Sequence, residues 1–222
     1  CGGRRTIDEA SRAAGLDPVA VARELSAAAR EEDEAPWATM GVAELVDHIE
    51  AVHHRYLWDE LPLLSTLADK IAGVHGGRHP ELAEVRRLVD ELRADLEQHL
   101  AKEERVLFPA VRALAASGST PTFACGGLSS PISVMLVEHD RAGALLARLR
   151  VVTGGYQVPS DGCASYGACY GGLAELEADT HLHVHKENNV LFPAVVALED
   201  RQAAASATTA RGRAPVTPPR PG

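Results

Sequence analysis

The sequence predicts an all-α protein: an antiparallel four-helix bundle made of two duplicated helical hairpins, preceded by a small helical module. Three observations predict it. Ala, Leu, Glu and Arg dominate long stretches, and β-branched alternation is scarce outside short runs of Val. Apolar residues recur at i, i+3, i+4 spacing over four long segments, about 41–74, 80–115, 131–153 and 172–201. Residues 91–114 match residues 175–198 without a gap, with 15 of 24 positions identical at a constant offset of 84, so the second and fourth helices are copies of one another.

The elements follow in order. Thr6-Ile7-Asp8-Glu9 reads as a capping box opening a short helix that Gly15 closes. Asp17-Pro18 then supplies an N-cap and a first-turn proline for a second helix to about Arg30. The acidic run Glu31 to Glu34, leading into Ala35-Pro36-Trp37, is a linker, so residues 1–35 form the small module and 36–202 the bundle. Within the bundle the helices are separated by His75-Gly76-Gly77, by the polar Ser117 to Pro131 segment and by the Gly-rich Gly154 to Gly172 stretch. The tail 203–222, ending Pro218-Pro219-Arg220-Pro221, holds too little apolar surface to order itself and is expected to be disordered.

Composition narrows the function classes. The 222 residues carry 22 Lys+Arg against 31 Asp+Glu, a net charge of −9, which disfavours a large nucleic-acid footprint because phosphate binding needs a surplus of cations. Four cysteines are too few for a disulfide scaffold. No stretch approaches the roughly 20 apolar residues of a membrane span, and no apolar leader core precedes the first helix, so a soluble, cytoplasmic chain is expected. The unusual figure is 10 histidines.

Each repeat carries His-x-x-x-Glu, as His99 with Glu103 and His183 with Glu187. Residues i and i+4 share one helix face, so each pair presents an imidazole beside a carboxylate. A lone pair of this kind is ordinarily a surface ion pair; its duplication at matched positions argues against that. In an antiparallel hairpin, residues equally far from the turn lie level. His54 and His99 average to 76.5, on Gly76-Gly77, and His139 and His183 average to 161, on Asp161-Gly162. Two such hairpins packed together place four imidazoles and two carboxylates at one height in the core. Buried polar groups without partners cost on the order of 1–3 kcal/mol each, so a metal is the natural resolution. Imidazole and carboxylate without thiolate suit iron or manganese, and carboxylates on opposite helices bridge a metal pair. The expected metal ligands are therefore His54, His99, Glu103, His139, His183 and Glu187, around two iron ions. His75 belongs by geometry at the turn, 21 residues and about 30 Å beyond His54. His48, His53, His181 and His185 are expected beside the site or in solvent, and His79 in a loop. Cys125, Cys163 and Cys169 are expected as free loop thiols.

These residues carry a resemblance. His54, His99-Leu100-Ala101-Lys102-Glu103-Glu104 with Val106-Leu107-Phe108-Pro109, Ile132-Ser133-Val134-Met135 leading to Glu138-His139-Asp140, and His183 with Glu187-Asn188-Asn189-Val190-Leu191-Phe192-Pro193 resemble the hemerythrin-like domain of the RIC (repair of iron centres, YtfE/ScdA-type) family. Cys1-Gly2-Gly3 followed by a basic residue is similar to the end of that family's N-terminal Cys-Cys-Gly-Gly motif. The resemblance covers about residues 1–200. It implies a cytoplasmic di-iron protein that restores iron–sulfur clusters damaged by nitric oxide or oxidants, with iron–sulfur proteins as recipients, nitric oxide or oxygen as small ligands, and a homodimer as its assembly. The chain opens at Cys1 without a Met, so the module is expected to be truncated at its start, lacking the family's preceding cysteine.

Four histidines and two bridging carboxylates leave each metal under-coordinated, which leaves room for oxygen or nitric oxide and makes iron releasable. Three other readings use the same residues or their neighbours: a gas- or iron-binding sensor or store, a redox enzyme such as a nitric oxide reductase or peroxidase, and a DNA-binding helix-turn-helix over Ile7 to Leu25. The acidic balance and the Asp8-Glu9 face argue against the last.

Overall fold

The computed structural model describes residues 7–22, 36–117 and 127–212, and among them every regular element is helical. In the N-terminal module, α1 (Ile7–Ala13) ends at Gly15, whose φ of +71° suits a residue without Cβ. The Leu16 amide donates back to the Ser11 carbonyl at 2.9 Å. Asp17 caps the helical residues 18–22 (α2), its Oδ1 accepting from the Val19 amide at 3.1 Å. The Cys1-Gly2-Gly3 motif, Thr6 of the capping box, the linker 31–35 and Cys125 lie outside the described residues.

Four rods follow. The first is α3 (Val42–Ile49), a π turn over Glu50–His54, and α4 (Arg55–His75). The second is α5 (Leu82–Lys102), a π turn over Glu103–Leu107, and α6 (Phe108–Ser117). The third, α7 (Ser129–Val152), is α-helical throughout. The fourth is α8 (Ala164–His185), a π turn over Lys186–Leu191, and α9 (Phe192–Gly212). That last helix runs ten residues past Gln202, where the tail is expected to begin. The fourth rod also starts earlier than its apolar pattern suggests, so Cys169 is a buried helical residue rather than a loop thiol, whereas Cys163 is, as expected, a free thiol in the connection, the last residue before the helix.

The apolar stripes form two separate clusters with a polar layer between them. One joins Leu57, Leu61 and Leu64 of α4 to Leu88, Leu92 and Leu96 of α5, Leu146 of α7 and Leu173 of α8. The other joins Val46 and Ile49 of α3, Phe108 and Val111 of α6, Ile132 and Met135 of α7, and Phe192 and Val195 of α9. Each rod thus passes from one cluster to the other, and all four cross the same level at positions 54, 99–103, 139 and 183–187. The six predicted residues sit at that level. The turn from α7 to α8 needs left-handed backbone at Gly154 and Gly155, with φ of +60° and +78°.

Candidate metal centre

All six predicted residues are buried, Glu103 and Glu187 completely. They form two groups. His54 and His183 face both glutamates, and so do His99 and His139, with the facing atoms of each group within 4.8 Å of one another. Glu103 Oε2 lies 3.4 Å from His54 Nε2 and 3.2 Å from His99 Nε2, so one oxygen serves both pockets. Glu187 divides its oxygens: Oε2 is 3.1 Å from His139 Nε2 and Oε1 is 3.1 Å from His183 Nε2. The histidines pair between hairpins rather than within them. His99 and His139 bring their Nε2 atoms to 3.0 Å, while His54 and His183 rings are 5.0 Å apart.

Local helix geometry places them. The π turns begin at Glu103 and end at His54, and the third contains Glu187. A π turn holds one more residue than an α turn and swings its side chains to angles an unbroken α-helix does not offer, a feature concentrated at functional sites. Phe108 stacks on His54 at 5.1 Å and Phe192 on His139 at 6.1 Å, closing the layer from the α6–α9 side.

Outer partners fix the imidazole tautomers. His54 Nδ1 donates to Glu104 Oε1 at 3.1 Å, an oxygen that also accepts from Trp58 Nε1. His99 Nδ1 donates to Glu138 Oε2 at 3.0 Å, and Lys102 pairs with the same carboxylate. His139 Nδ1 donates to Asn188 Oδ1 at 2.8 Å. With Nδ1 donating outward, each Nε2 faces inward as the nitrogen that can offer a lone pair to a cation. These partners are missed by spacing alone, because Glu104, Glu138 and Asn188 each sit one residue from a predicted ligand and so on a different face. The signal that finds Glu104 and Asn188 is the repeat, which places them at the same offset of 84.

The inward atoms do not satisfy one another. Among the described residues, His54 Nε2, His183 Nε2 and both oxygens of Glu103 and Glu187 have no hydrogen-bond partner. Two carboxylates and facing imidazole nitrogens in a buried layer repel unless protons or cations lie among them. Burial pushes His99 down, but the Glu103 and Glu187 charges and the Glu138 hydrogen bond outweigh it and raise His99 to about 9. Burial likewise opposes the charge on His54, which Glu103 and Glu187 nonetheless raise above its usual range. Burial dominates at His183, which is held below it. Burial and mutual repulsion push Glu103 up, yet His99 and His54 carry it below the ordinary carboxylate value; His183 and His139 do the same for Glu187, more strongly. Each of the two groups could hold a cation, with two imidazoles, both carboxylates and no thiolate among its donors.

Of the remaining histidines, His53 is buried against the site and stacks on His183, with Nδ1 donating to Asp179 Oδ1 at 2.8 Å and Nε2 accepting from buried Lys186 at 2.8 Å. Lys186 also donates to His48 Nε2 and lies over the Trp37 ring. His75 lies at the far turn, as expected, and is buried there.

The chain matches the hemerythrin HHE cation binding domain over residues 45–195. It is 33% identical over 199 residues to a probable iron–sulfur cluster repair protein of Haemophilus influenzae, spanning 88% of this chain and 85% of that protein. It is 34% identical to the iron–sulfur cluster repair protein YtfE of Enterobacter sp. and to that of Citrobacter koseri, in each case over 90% of this chain and 86% of the relative. With a polar layer of matched His-x-x-x-Glu pairs at the heart of the fold and likeness along nine-tenths of its length, the chain belongs to the hemerythrin-like, YtfE-type family of iron–sulfur cluster repair proteins.

Proposed function

We propose that this chain holds two iron ions between Glu103 and Glu187, one with His54 and His183 and the other with His99 and His139, and donates iron for the repair of iron–sulfur clusters damaged by nitrosative or oxidative stress in the cytoplasm. The observation that carries it is the set of buried, inward-facing nitrogen and carboxylate atoms that a pair of cations would satisfy together. When bound, an iron pair offers open positions to oxygen or nitric oxide and can change oxidation state. The chain's own residues do the rest. Glu104, Glu138 and Asn188 hold three imidazoles in the tautomer that presents Nε2. The two apolar clusters keep bulk water from the layer. A cavity of ≈ 110 Å³, lined by His99, His139, Glu138, Lys102 and Asp95, opens to one side of it and provides a polar route for outgoing iron.

As the cargo of a donor, iron must be held firmly enough to survive in the cell and loosely enough to leave. Two histidines per ion fit that need. Metal analysis with Mössbauer spectroscopy on the purified protein should find two irons, and a chelator should strip the reduced protein within minutes. Retention for days would sink the donation reading. The same cavity reaches the site histidines from outside and supports a second reading, a nitric oxide-reducing or oxygen-binding protein. Turnover of nitric oxide by the reduced protein, with no iron passed to an apo iron–sulfur acceptor, would favour it.

A further inference from the structure

At the far end of the bundle, where α4 ends and α8 begins, a second group of reactive side chains lies about 30 Å from the metal layer along α4. Cys163 is the exposed residue preceding Ala164–His185, and His75 is the buried last residue of Arg55–His75. His75 Nε2 lies 3.2 Å from Cys163 Sγ. On its other side, His75 Nδ1 accepts from the Arg78 guanidinium at 3.4 Å. A neutral imidazole that accepts through Nδ1 carries its proton on Nε2, so the hydrogen bond to sulfur is donated by His75 and received by sulfur, the arrangement that stabilises a thiolate.

The surroundings hold this arrangement in place. The Tyr166 ring meets His75 edge-on at 5.4 Å and His79 at 5.9 Å. His79 donates to Glu81 Oε1 at 3.1 Å and to Asp161 Oδ1 at 3.0 Å, and Arg78 Nε reaches Asp161 Oδ2 at 3.3 Å. The charged groups facing the sulfur's end of the bundle are thus Arg78 and His79 against Glu81 and Asp161, already paired with each other, leaving the direct donors to act on the thiol. The His75 hydrogen bond, followed by the Tyr166 and Ser165 amides of the first α8 turn, brings Cys163 down to about 7. Cys169, six residues on, is an internal contrast: burial in the apolar core pushes it up to about 12.

We propose that Cys163 and His75 form a second reactive centre, a surface thiolate that hydroperoxides oxidise to the sulfenic acid. Sulfur attacks one peroxide oxygen; the S–O bond forms as the O–O bond breaks, sulfur gives up two electrons, and the leaving hydroxide takes a proton from solvent. The net change is thiolate, hydrogen peroxide and a proton giving sulfenic acid and water. Among the described residues the one other cysteine, Cys169, is buried and offers no accessible resolving thiol, so the sulfenic acid is the product to look for.

The test uses the whole 222-residue chain, iron-loaded, with hydrogen peroxide, a dione trap for sulfenic acid, and peptide mass spectrometry resolving each cysteine. Cys163 should be labelled and Cys169 not, with a rate that rises to a plateau around a midpoint near pH 7. His75→Gln should slow labelling at pH 7 about tenfold and recover near pH 10, where any thiol ionises. Helicity and iron content check that variant's fold. Should it fail to fold, Arg78→Ala, an exposed change that frees the His75 tautomer, should slow labelling in the same way. A midpoint above pH 8.5 in the unaltered protein, or a rate no greater than that of an unstructured peptide thiol, overturns the proposal.

Discussion

Glu138 and His53 occupy matching places in the two hairpins, each one residue before a site histidine, yet they meet the facing imidazole differently. Glu138 accepts from His99 Nδ1 at 3.0 Å. His53 instead lies flat on His183, with ring centroids 5.4 Å apart and planes 2° from parallel, its own nitrogens turned to Asp179 and Lys186. The second and fourth rods match more closely: Glu104 answers Asn188, Lys102 answers Lys186 and Phe108 answers Phe192. His183 Nδ1 is consequently the one imidazole nitrogen of the four, among the described residues, with no hydrogen-bond partner on the outer side.

An acceptor on the outer nitrogen orients a metal-binding imidazole and raises its basicity, and losing one typically costs 10–100-fold in affinity. The ion between His54 and His183 should therefore be the weaker held. Titrating ferrous iron into His54→Ala leaves only the His99/His139 position, and titrating it into His99→Ala leaves only the His54/His183 position. The second variant should bind about tenfold more weakly. Equal affinities, or the reverse order, would show that stacking on His53 substitutes fully for an acceptor.

Because each glutamate faces both histidine pairs, neither pocket is complete without both. Glu103→Gln and Glu187→Gln should each lose both irons together, whereas removing a single histidine should weaken one. Elemental analysis after desalting distinguishes the two, and unchanged iron in either glutamine variant would refute sharing.

The architecture and the polar layer were legible because both rest on periodicity. The offset of 84 exposed the duplicated His99/Glu103 and His183/Glu187, and counting outward from the turns brought in His54 and His139. What the pattern could not carry is pairing across hairpins, since level residues in one hairpin say nothing of how two hairpins rotate about each other. The π turns were invisible for a related reason: one extra residue changes the face of every side chain after it without altering composition. Cys163 and His75 are 88 residues apart in unrelated segments, and only the meeting of two turns joins them.

The π turns themselves can be tested. Deleting exposed Arg105 from Glu103–Leu107 removes the extra residue, letting the second rod close to α pitch while α5 and α6 keep their apolar stripes on the core. Helicity should be retained and iron lost, because Glu103 no longer swings between the pockets. Full iron retention in a helical variant would mean the turn is not what aims the carboxylate.

Away from the metal layer, Glu177 ties α8 to the end of α7. It is 5% exposed, and both its oxygens accept from Arg150 Nε at 3.0 Å. Burial works against its charge, but the Arg150 hydrogen bonds outweigh it and hold the carboxyl below its ordinary 4.5. A carboxyl depressed by folding contributes stability that is complete above its unfolded value and disappears as pH falls through the folded one. Since Arg150 is half exposed and screened, Glu177→Gln should cost about 1–2 kcal/mol at pH 7. In thermal melts the gap between the two proteins should hold from neutral pH down to about 4.5 and close below it. A gap that persists at pH 2 would mean the loss comes from packing of the longer-range α7–α8 contact and not from the ion pair.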